Sequence, residues 1–477
     1  MFTLTLLAVV CVSYVLQQTL VVPALPTIGR DLNTSTTWAT WIFTGFLLSS
    51  AVATPLIGKL GDTYGKKRLL FIVMVIFAVG TIGAALSTSI AMLILARALQ
   101  GAAGAIFPLA FGIVRDELPP EKVGMALGLL SATLGIGAGI GLVLSGVVLE
   151  SFSWEWLFWF GAAPVILCLA PVWFLLPESR VRTPSRVDWW GALTMSIGLG
   201  ALLIALSEGE TWGWLSATTL GVFALSIVVL VLWVWVELKV PEPMVQIGMM
   251  RERAVMWANI VAIIVGFSMY GTFLLVPTFV QMGAGLPDSL ASQITYGFGA
   301  SVIVAGLFLL PSSLAMLIVG PMGGALEPRL GAKVLTGAGC VVLGLGGLML
   351  ALFHTEGWEI VVAMTFIGIG VALVYAMLAK LIIDAVPPEV TGVAIGVNTV
   401  MRTIGGVIGA QVGAALLSTI TISGTELPAE DAFTATFLVA ACVAFVGALA
   451  ILRIPGRGTR AAGSPVFESA PAPTRVG

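Results

Sequence analysis

Gly58-Lys59-Leu60-Gly61-Asp62-Thr63-Tyr64-Gly65-Lys66-Lys67-Arg68 is a short, charged, glycine-bearing stretch between two long apolar runs, at about 38–58 and 68–87. Its glycines allow a tight turn between close-packed helices, and Asp62 has basic partners within a few residues. Each flanking run is close to the roughly 20 apolar residues needed to cross a hydrocarbon core about 30 Å thick. The stretch therefore predicts a turn joining two membrane helices. Comparable runs recur at about 4–26, 91–114, 122–149, 155–176, 188–207, 215–236, 254–280, 293–318, 333–353, 359–384, 391–418 and 432–453, which gives an expected fourteen spans.

Composition agrees with that pattern. The 477 residues are 58% hydrophobic and 10% charged, with a mean hydropathy of +1.08. Soluble domains are nearer one quarter charged, so lipid is the expected solvent for most of the surface. The 56 glycines accompany long apolar runs and not ten-residue alternating segments, which favours helices over a barrel. Cys11, Cys168, Cys340 and Cys442 are scattered singly, with neither disulfide nor metal spacing, and are expected to be apolar filler. His354 is expected in a solvated connection. Met1 opens directly on an apolar run without a basic leader or a cleavage site, so the first helix is expected to be retained. The stretch after Ile454, rich in Pro, Gly, Ala and Arg, is expected to be disordered.

Basic residues alternate from one connection to the next. Lys59, Lys66, Lys67, Arg68, Arg115, Lys122, Arg180, Arg182, Arg186, Lys239, Arg251, Arg253, Arg329 and Lys333 fall in or beside every second connection, and Arg453, Arg457, Arg460 and Arg475 lie in the tail. The opposite connections carry Arg30 and the acids Glu150, Glu208, Asp288, Glu356 and Asp431. The positive-inside rule then predicts two cytoplasmic termini in an inner membrane and an even number of spans.

The chain also repeats itself. Pro119-Pro120-Glu121-Lys122-Val123-Gly124-Met125-Ala126-Leu127-Gly128 returns as Pro387-Pro388-Glu389-Val390-Thr391-Gly392-Val393-Ala394-Ile395-Gly396, with Asp116 and Asp384 at the same offset. Pro55, Gly58, Leu60, Gly65 and Lys67 return as Pro321, Gly324, Leu326, Gly331 and Lys333. Two parallel halves follow. The expected units are 1–187, an inserted helix pair and linker at 188–253, a second six-helix half at 254–453, and the tail at 454–477.

On these residues the chain resembles the major facilitator superfamily, whose G-x-L-x-D-x-x-G-[RK]-[RK] signature the opening stretch matches at every fixed position. The resemblance implies two pseudo-symmetric six-helix bundles and a conformational latch formed by Gly58, Asp62, Gly65, Lys66, Lys67 and Arg68 with Asp116. Ala96-Arg97-Ala98-Leu99-Gln100-Gly101 is similar to the R-x-x-Q-G motif of the fourteen-helix drug:proton antiporter branch. Gly128, Gly137, Gly141 and Gly146 follow that branch's antiporter glycine spacing. Thr37-Trp38 to Leu47, Ser153-Trp154-Glu155-Trp156 and Trp212-Gly213-Trp214 also resemble it. Leu16-Gln17-Gln18-Thr19-Leu20 followed by Ala24-Leu25-Pro26 resembles its first-helix motif, with Gln17 where the branch has aspartate. Leu142, Ser145 and Glu155 depart from the pattern as well.

Charges at membrane depth are functional by default. Arg97 and Arg402 are predicted to lie deep, with Lys380 shallower and snorkelling outward; Asp62, Asp188, Glu208 and Asp384 fall near helix ends. Gln17 and Arg97 share a depth, so the glutamine carbonyl is expected to accept a hydrogen bond from the guanidinium. Arg97, Gln17, Gln18, Thr19, Gln100 and Arg402 are the expected substrate- and proton-handling residues. Arg402 is weighed against a structural arginine bonded to helix carbonyls. Asn259, Gln281, Asn398 and Gln411 are weaker candidates that interhelical hydrogen bonding explains equally well.

The expected function is secondary export of small amphipathic compounds by alternating access, coupled to protons. An uncoupled carrier of lipids or organic anions is the alternative raised by Gln17. The expected partners are the bilayer and a neutral or anionic solute in preference to a cationic one. No cofactor, metal or nucleic acid is expected, and the protein is expected to be monomeric. An enzyme would need longer catalytic loops outside the bilayer. ATP-driven transport would need a G-x-x-x-x-G-K-[ST] loop.

Overall fold

A computed structural model of the protein describes residues 2–179, 188–283, 294, 296–425 and 427–454. The expectations placed on Arg180, Arg182, Arg186, Asp288, Arg457, Arg460, Arg475 and the tail lie outside the described residues.

Among the described residues, fourteen helices are long and apolar enough to cross a membrane, one for each predicted run. They are α1 (Thr3–Asp31), α2 (Trp38–Tyr64), α3 (Lys66–Ala85), α4 (Ile90–Glu117), α5 (Pro120–Ser151), α6 (Glu155–Leu175), α7 (Trp189–Trp212), α8 (Ala217–Glu237), α9 (Arg253–Gln281), α10 (Val302–Leu330), α11 (Ala332–Leu352), α12 (Gly357–Ala385), α13 (Pro388–Thr419) and α14 (Glu430–Arg453). Among the described residues the only β-structure is an isolated bridge between Thr421 and Pro428.

The opening stretch is mostly helix and not loop. α2 continues through Gly58, Lys59 and Asp62 to Tyr64, and the chain reverses at Gly65 alone, where φ is 109°. Only glycine adopts that backbone without strain. Its repeat partner Gly331 turns α10 into α11 in the same way, with φ 81°. His354 also departs from expectation. It is buried, with Nδ1 2.7 Å from the Leu350 carbonyl and Nε2 3.0 Å from Glu430, and its ring meets Phe279 edge-on. A histidine beside an apolar helix end finds partners in the fold before it finds water.

Helix packing obeys the internal repeat. In the first bundle α1 packs on α5 and α6, α2 on α4, and α3 on α4 and α6. The same pairs recur eight helices later: α9 on α13 and α14, α10 on α12, and α11 on α12 and α14. Two seams join the bundles, α5 against α10 and α2 against α13. Both run on glycine. Gly58 faces Gly392 across one seam, and their repeat partners Gly324 and Gly124 face each other across the other. A Cβ added to Gly58 would come 2.6 Å from the Gly392 carbonyl oxygen. Close backbone approach of this kind is how helices associate where the solvent is itself apolar.

The inserted pair sits at one seam only. α7 packs on α8 and touches both α2 and α13, while α8 leaves most of its surface uncovered.

Replacing Gly128 with Ile is expected to destabilise the protein by about 1–3 kcal/mol through overpacking, because its added carbon would overlap the Gly320 carbonyl. Gly221→Ala, where nothing lies within 4 Å, should leave stability unchanged. Thermal unfolding in detergent compares the two.

Candidate functional site

Two layers of polar chemistry interrupt this apolar bundle. The first lies at the end that carries the basic connections, here the basic end. Asp62, at the end of α2, reaches across the seam to the start of α13: Oδ1 accepts from the Gly392 N–H and Oδ2 from the Val393 N–H, each at 3.1 Å. The first N–H groups of a helix have no intrahelical partner and carry the positive end of its dipole, so a carboxylate fits there. Lys66 stands behind it, donating to Asp116 at 2.8 Å and lying 3.4 Å from Asp62. Ser179 also donates to Asp116. The Lys67 N–H donates to Glu178 at 3.2 Å, and Arg68 is exposed.

Arg115 holds the same connection from its other side. Its guanidinium donates to the Val386 carbonyl at 2.9 Å, to the Pro387 carbonyl at 3.4 Å and to the Thr391 hydroxyl. A cation thus meets the carbonyl end of α12 while an anion meets the amide end of α13. The sequence marks Arg115 only as one of many topology-setting charges; its partners are distant in the chain.

The repeat does not duplicate this clamp. Pro328 and Ile383 occupy the positions equivalent to Asp62 and Arg115. Between the α4–α5 connection and α12 lies a pocket of about 300 Å³ lined by Arg115, Leu118, Pro120, Val123, Lys380, Ile383 and Asp384. Lys380 does not extend freely outward but pairs with Asp384 at 2.5 Å.

The second layer lies deep. Arg97 on α4 is completely buried. Nε donates to the Ile42 carbonyl at 3.1 Å, and Nη1 donates to Gln100 Oε1 at 2.6 Å and to the Gln17 backbone carbonyl at 3.3 Å. The guanidinium also lies 4.2 Å from the Phe46 ring centroid. An arginine at a helix centre costs about 2.5–3.5 kcal/mol on insertion scales. Charge-assisted hydrogen bonds worth about 1.5–3 kcal/mol each offset this without a carboxylate. Gln100 in turn donates to Thr81 at 2.9 Å.

Gln17 does meet Arg97, but through its backbone and not its side chain. The side-chain amide turns to donate to the Phe158 carbonyl on α6 at 3.3 Å. Two atoms of this layer are buried without a partner, Gln17 Oε1 and Arg97 Nη2. Thr19 is tied to α1 carbonyls and to the Gly137 carbonyl, and Gln18 is nearly buried.

Arg402 on α13 is 8% exposed, and its guanidinium carbon sits 3.8 Å from the Tyr375 ring centroid. Among the described residues it makes no hydrogen bond and no ion pair, which removes the carbonyl-bonded alternative. Tyr14, Tyr270 and Tyr375 lie within electrostatic reach of it or of one another. Tyr14 bonds the Ser50 hydroxyl at 3.2 Å and stacks on Phe46. Nothing in the motifs of the sequence singles out these tyrosines. The available signal was that the chain has only five, three of them in mid-helix.

The four motif glycines divide between two tasks. Gly137 and Gly141 bring α5 against Val15 and Thr19 of α1, whereas Gly128 and Gly146 bring it against Gly320 and Ile303 of α10. The weaker candidates are hydrogen-bonding groups. Asn398 donates to Asn259 at 3.0 Å, Gln281 to the Pro277 carbonyl at 3.0 Å, and Gln411 to the Ser207 carbonyl of α7 at 3.2 Å. Among the described residues no cluster of His, Cys, Asp and Glu could hold a metal ion.

Known proteins share this architecture. The family model for the Major Facilitator Superfamily matches residues 7–410 and 289–476. The chain is 27% identical to multidrug resistance protein 3 of Bacillus subtilis, over 83% of this chain and 75% of that one. It is 27% identical to the tetracenomycin C resistance and export protein of Streptomyces glaucescens, over 87% and 76%. It is 31% identical to multidrug resistance protein Stp of Mycobacterium tuberculosis, over 83% and 72%. Among solved structures, the human organic anion transporter MFSD10 (TETRAN) superimposes with a TM-score of 0.66 at 14% identity, over 94% of this chain and 99% of that one. The proton:xylose symporter XylE gives 0.62 at 13% identity, over 95% of each. With fourteen spans, paired bundles and these bacterial relatives, the protein is a transporter of a bacterial plasma membrane and not an enzyme, and the chain belongs to the Major Facilitator Superfamily.

Proposed function

We propose that the protein exports small amphipathic compounds by alternating access in exchange for protons, with both termini in the cytoplasm. The bond from Asp62 to the start of α13 carries this reading. It is a polar contact between two bundles whose other seam contacts are mainly apolar, and so is the one most readily exchanged for water. In this reading Gly58, Asp62, Gly65, Lys66, Lys67 and Arg68 with Asp116 form the latch, and Arg115 adds a second hold. The bundles at 1–187 and 254–453 rock about the deep layer, and 188–253 is an accessory unit beside one seam. The chain acts as a monomer.

Similarity to multidrug resistance proteins and to a tetracenomycin C resistance and export protein supports the reading of small-compound export. The deep layer supports a charge preference. Arg97, Gln17, Gln18, Thr19, Gln100 and Arg402 present two cations and no carboxylate, so neutral and anionic solutes are favoured over cations. Gln17 cannot carry a proton, so coupling must run through other groups than a first-helix acid.

Purified protein in liposomes with an imposed proton gradient is expected to move fluorescein faster than ethidium, with proton flux accompanying the dye. Ethidium transport without fluorescein transport would overturn the charge preference. Dye flux indifferent to the gradient would instead mark an uncoupled carrier. Gln17→Asp, which restores a titratable group at this depth, is expected to increase the protons moved per dye molecule.

A further inference from the structure

The structure holds an arginine that has been buried but not employed. Arg402 is covered by neighbouring helices, yet it has no hydrogen bond and no ion pair among the described residues. None of its nitrogens is among the buried atoms that lack a partner, in contrast to Arg97 Nη2. Unbonded and not fully covered, the N–H groups keep some accessible surface and remain free to donate. The same holds for the Tyr270 and Tyr375 hydroxyls. The charged neighbours of Tyr14 and Tyr375 are arginines only. At 1.5 Å per residue, Tyr14, Tyr375 and Arg402 all lie about 15–20 Å from the basic end, near the middle of the membrane.

We infer that Arg402, seated on Tyr375 with the Tyr270 ring packed one turn along α13 at Gly406, is the binding site for the carboxylate of a planar aromatic anion. The inference deepens the export reading and rests on it for the direction of transport. A bare cation in this interior is costly, and an anion relieves it. The guanidinium fork binds a carboxylate through two parallel hydrogen bonds, a geometry an ammonium cannot copy. Tyr375 fixes the plane of that fork by lying against its face. A carboxylate conjugated to an aromatic ring is coplanar with it, so docking on the fork carries the ring toward these tyrosines. Offset and edge contacts there add to the charge pair. Tyr270 and Tyr375 hydroxyls remain as donors to a second oxygen. The site also faces the other bundle: Arg402, Tyr375 and Tyr270 belong to the second bundle, and Tyr14, within electrostatic reach of Arg402, belongs to the first. A ligand held by both sets would bind tightest when the bundles are closed around it.

Equilibrium binding to the purified full-length protein tests this apart from transport. Titration calorimetry with 2-naphthoate is expected to show one site. The neutral isostere 2-naphthamide, the non-aromatic cyclohexanecarboxylate and trimethyl(2-naphthyl)ammonium should each bind at least about ten-fold more weakly, as expected when a charge-assisted pair or a ring contact is lost. Arg402→Gln should weaken 2-naphthoate by about ten- to a hundred-fold, and Arg402→Lys by less. Tyr375→Leu should weaken it while leaving the charge in place. Lys380→Gln, which removes the cation paired with Asp384, should change nothing. Equal affinity of the wild type for 2-naphthoate and 2-naphthamide would overturn the inference, as would no binding at all or full binding by folded Arg402→Gln. Binding as described without dye export in liposomes would leave the site standing and overturn the export reading.

Discussion

Two bundles facing each other in lipid have no hydrophobic effect to drive them together, because lipid tails are as apolar as their own side chains. Across these seams the bundles meet mainly by backbone contact at glycines, with a polar clamp at the basic end in which the Asp62 carboxylate satisfies the first amides of α13 and Arg115 holds the connection before it. Water can replace the carboxylate contact at little cost, because both partners are well solvated when apart. It cannot replace the glycine contacts, which are good only while the backbones touch. The polar clamp therefore suits a joint that opens, and the glycine seams suit the surfaces on which it pivots. The repeat is broken just here. Pro328 and Ile383 stand at the repeat equivalents of Asp62 and Arg115, so neither that carboxylate nor that guanidinium recurs at its equivalent position.

Charge in the interior follows a related logic. Arg97 spends Nε and Nη1 on carbonyls and Gln100 and lies over the face of Phe46, leaving Nη2 as its one buried nitrogen without a partner. Arg402 has only a ring beneath it. Of the two, the unbonded arginine is the one with chemistry left to offer a solute. Gln17 belongs to the first group. Its side chain has been drawn into the packing of α6 against α1, so the position has lost both the acid and the exposure that a proton carrier would need.

Much of this was legible beforehand, and the failures share a cause. All fourteen spans follow from hydropathy because the bilayer forces backbone polar groups into helices of set length. The internal repeat picks out the four glycines Gly58, Gly324, Gly124 and Gly392 as equivalents, but that Gly58 faces Gly392 and Gly324 faces Gly124 emerges only from the packing. Arg97 stood out because a charge at that depth has few harmless explanations. Missed were features that depend on which way a side chain turns. Gln17 presents its backbone to Arg97 and not its amide, His354 is sealed by Glu430 and Phe279, and Arg115 reaches a connection some 270 residues away. The tyrosines around Arg402 are silent in the sequence because each sits on an apolar helix where a core aromatic is the ordinary finding.

Asp62 closes the proposed joint at the basic end. Spin labels at Glu121→Cys and Glu389→Cys, exposed repeat partners at that end of the two bundles, report its width in a protein whose four native cysteines have been replaced. Pulsed electron–electron resonance in lipid nanodiscs is predicted to give a short and a long distance for the wild type, with Asp62→Asn shifting the population to the long one. A single distance, the same with and without the Asp62 carboxylate, would contradict this closure.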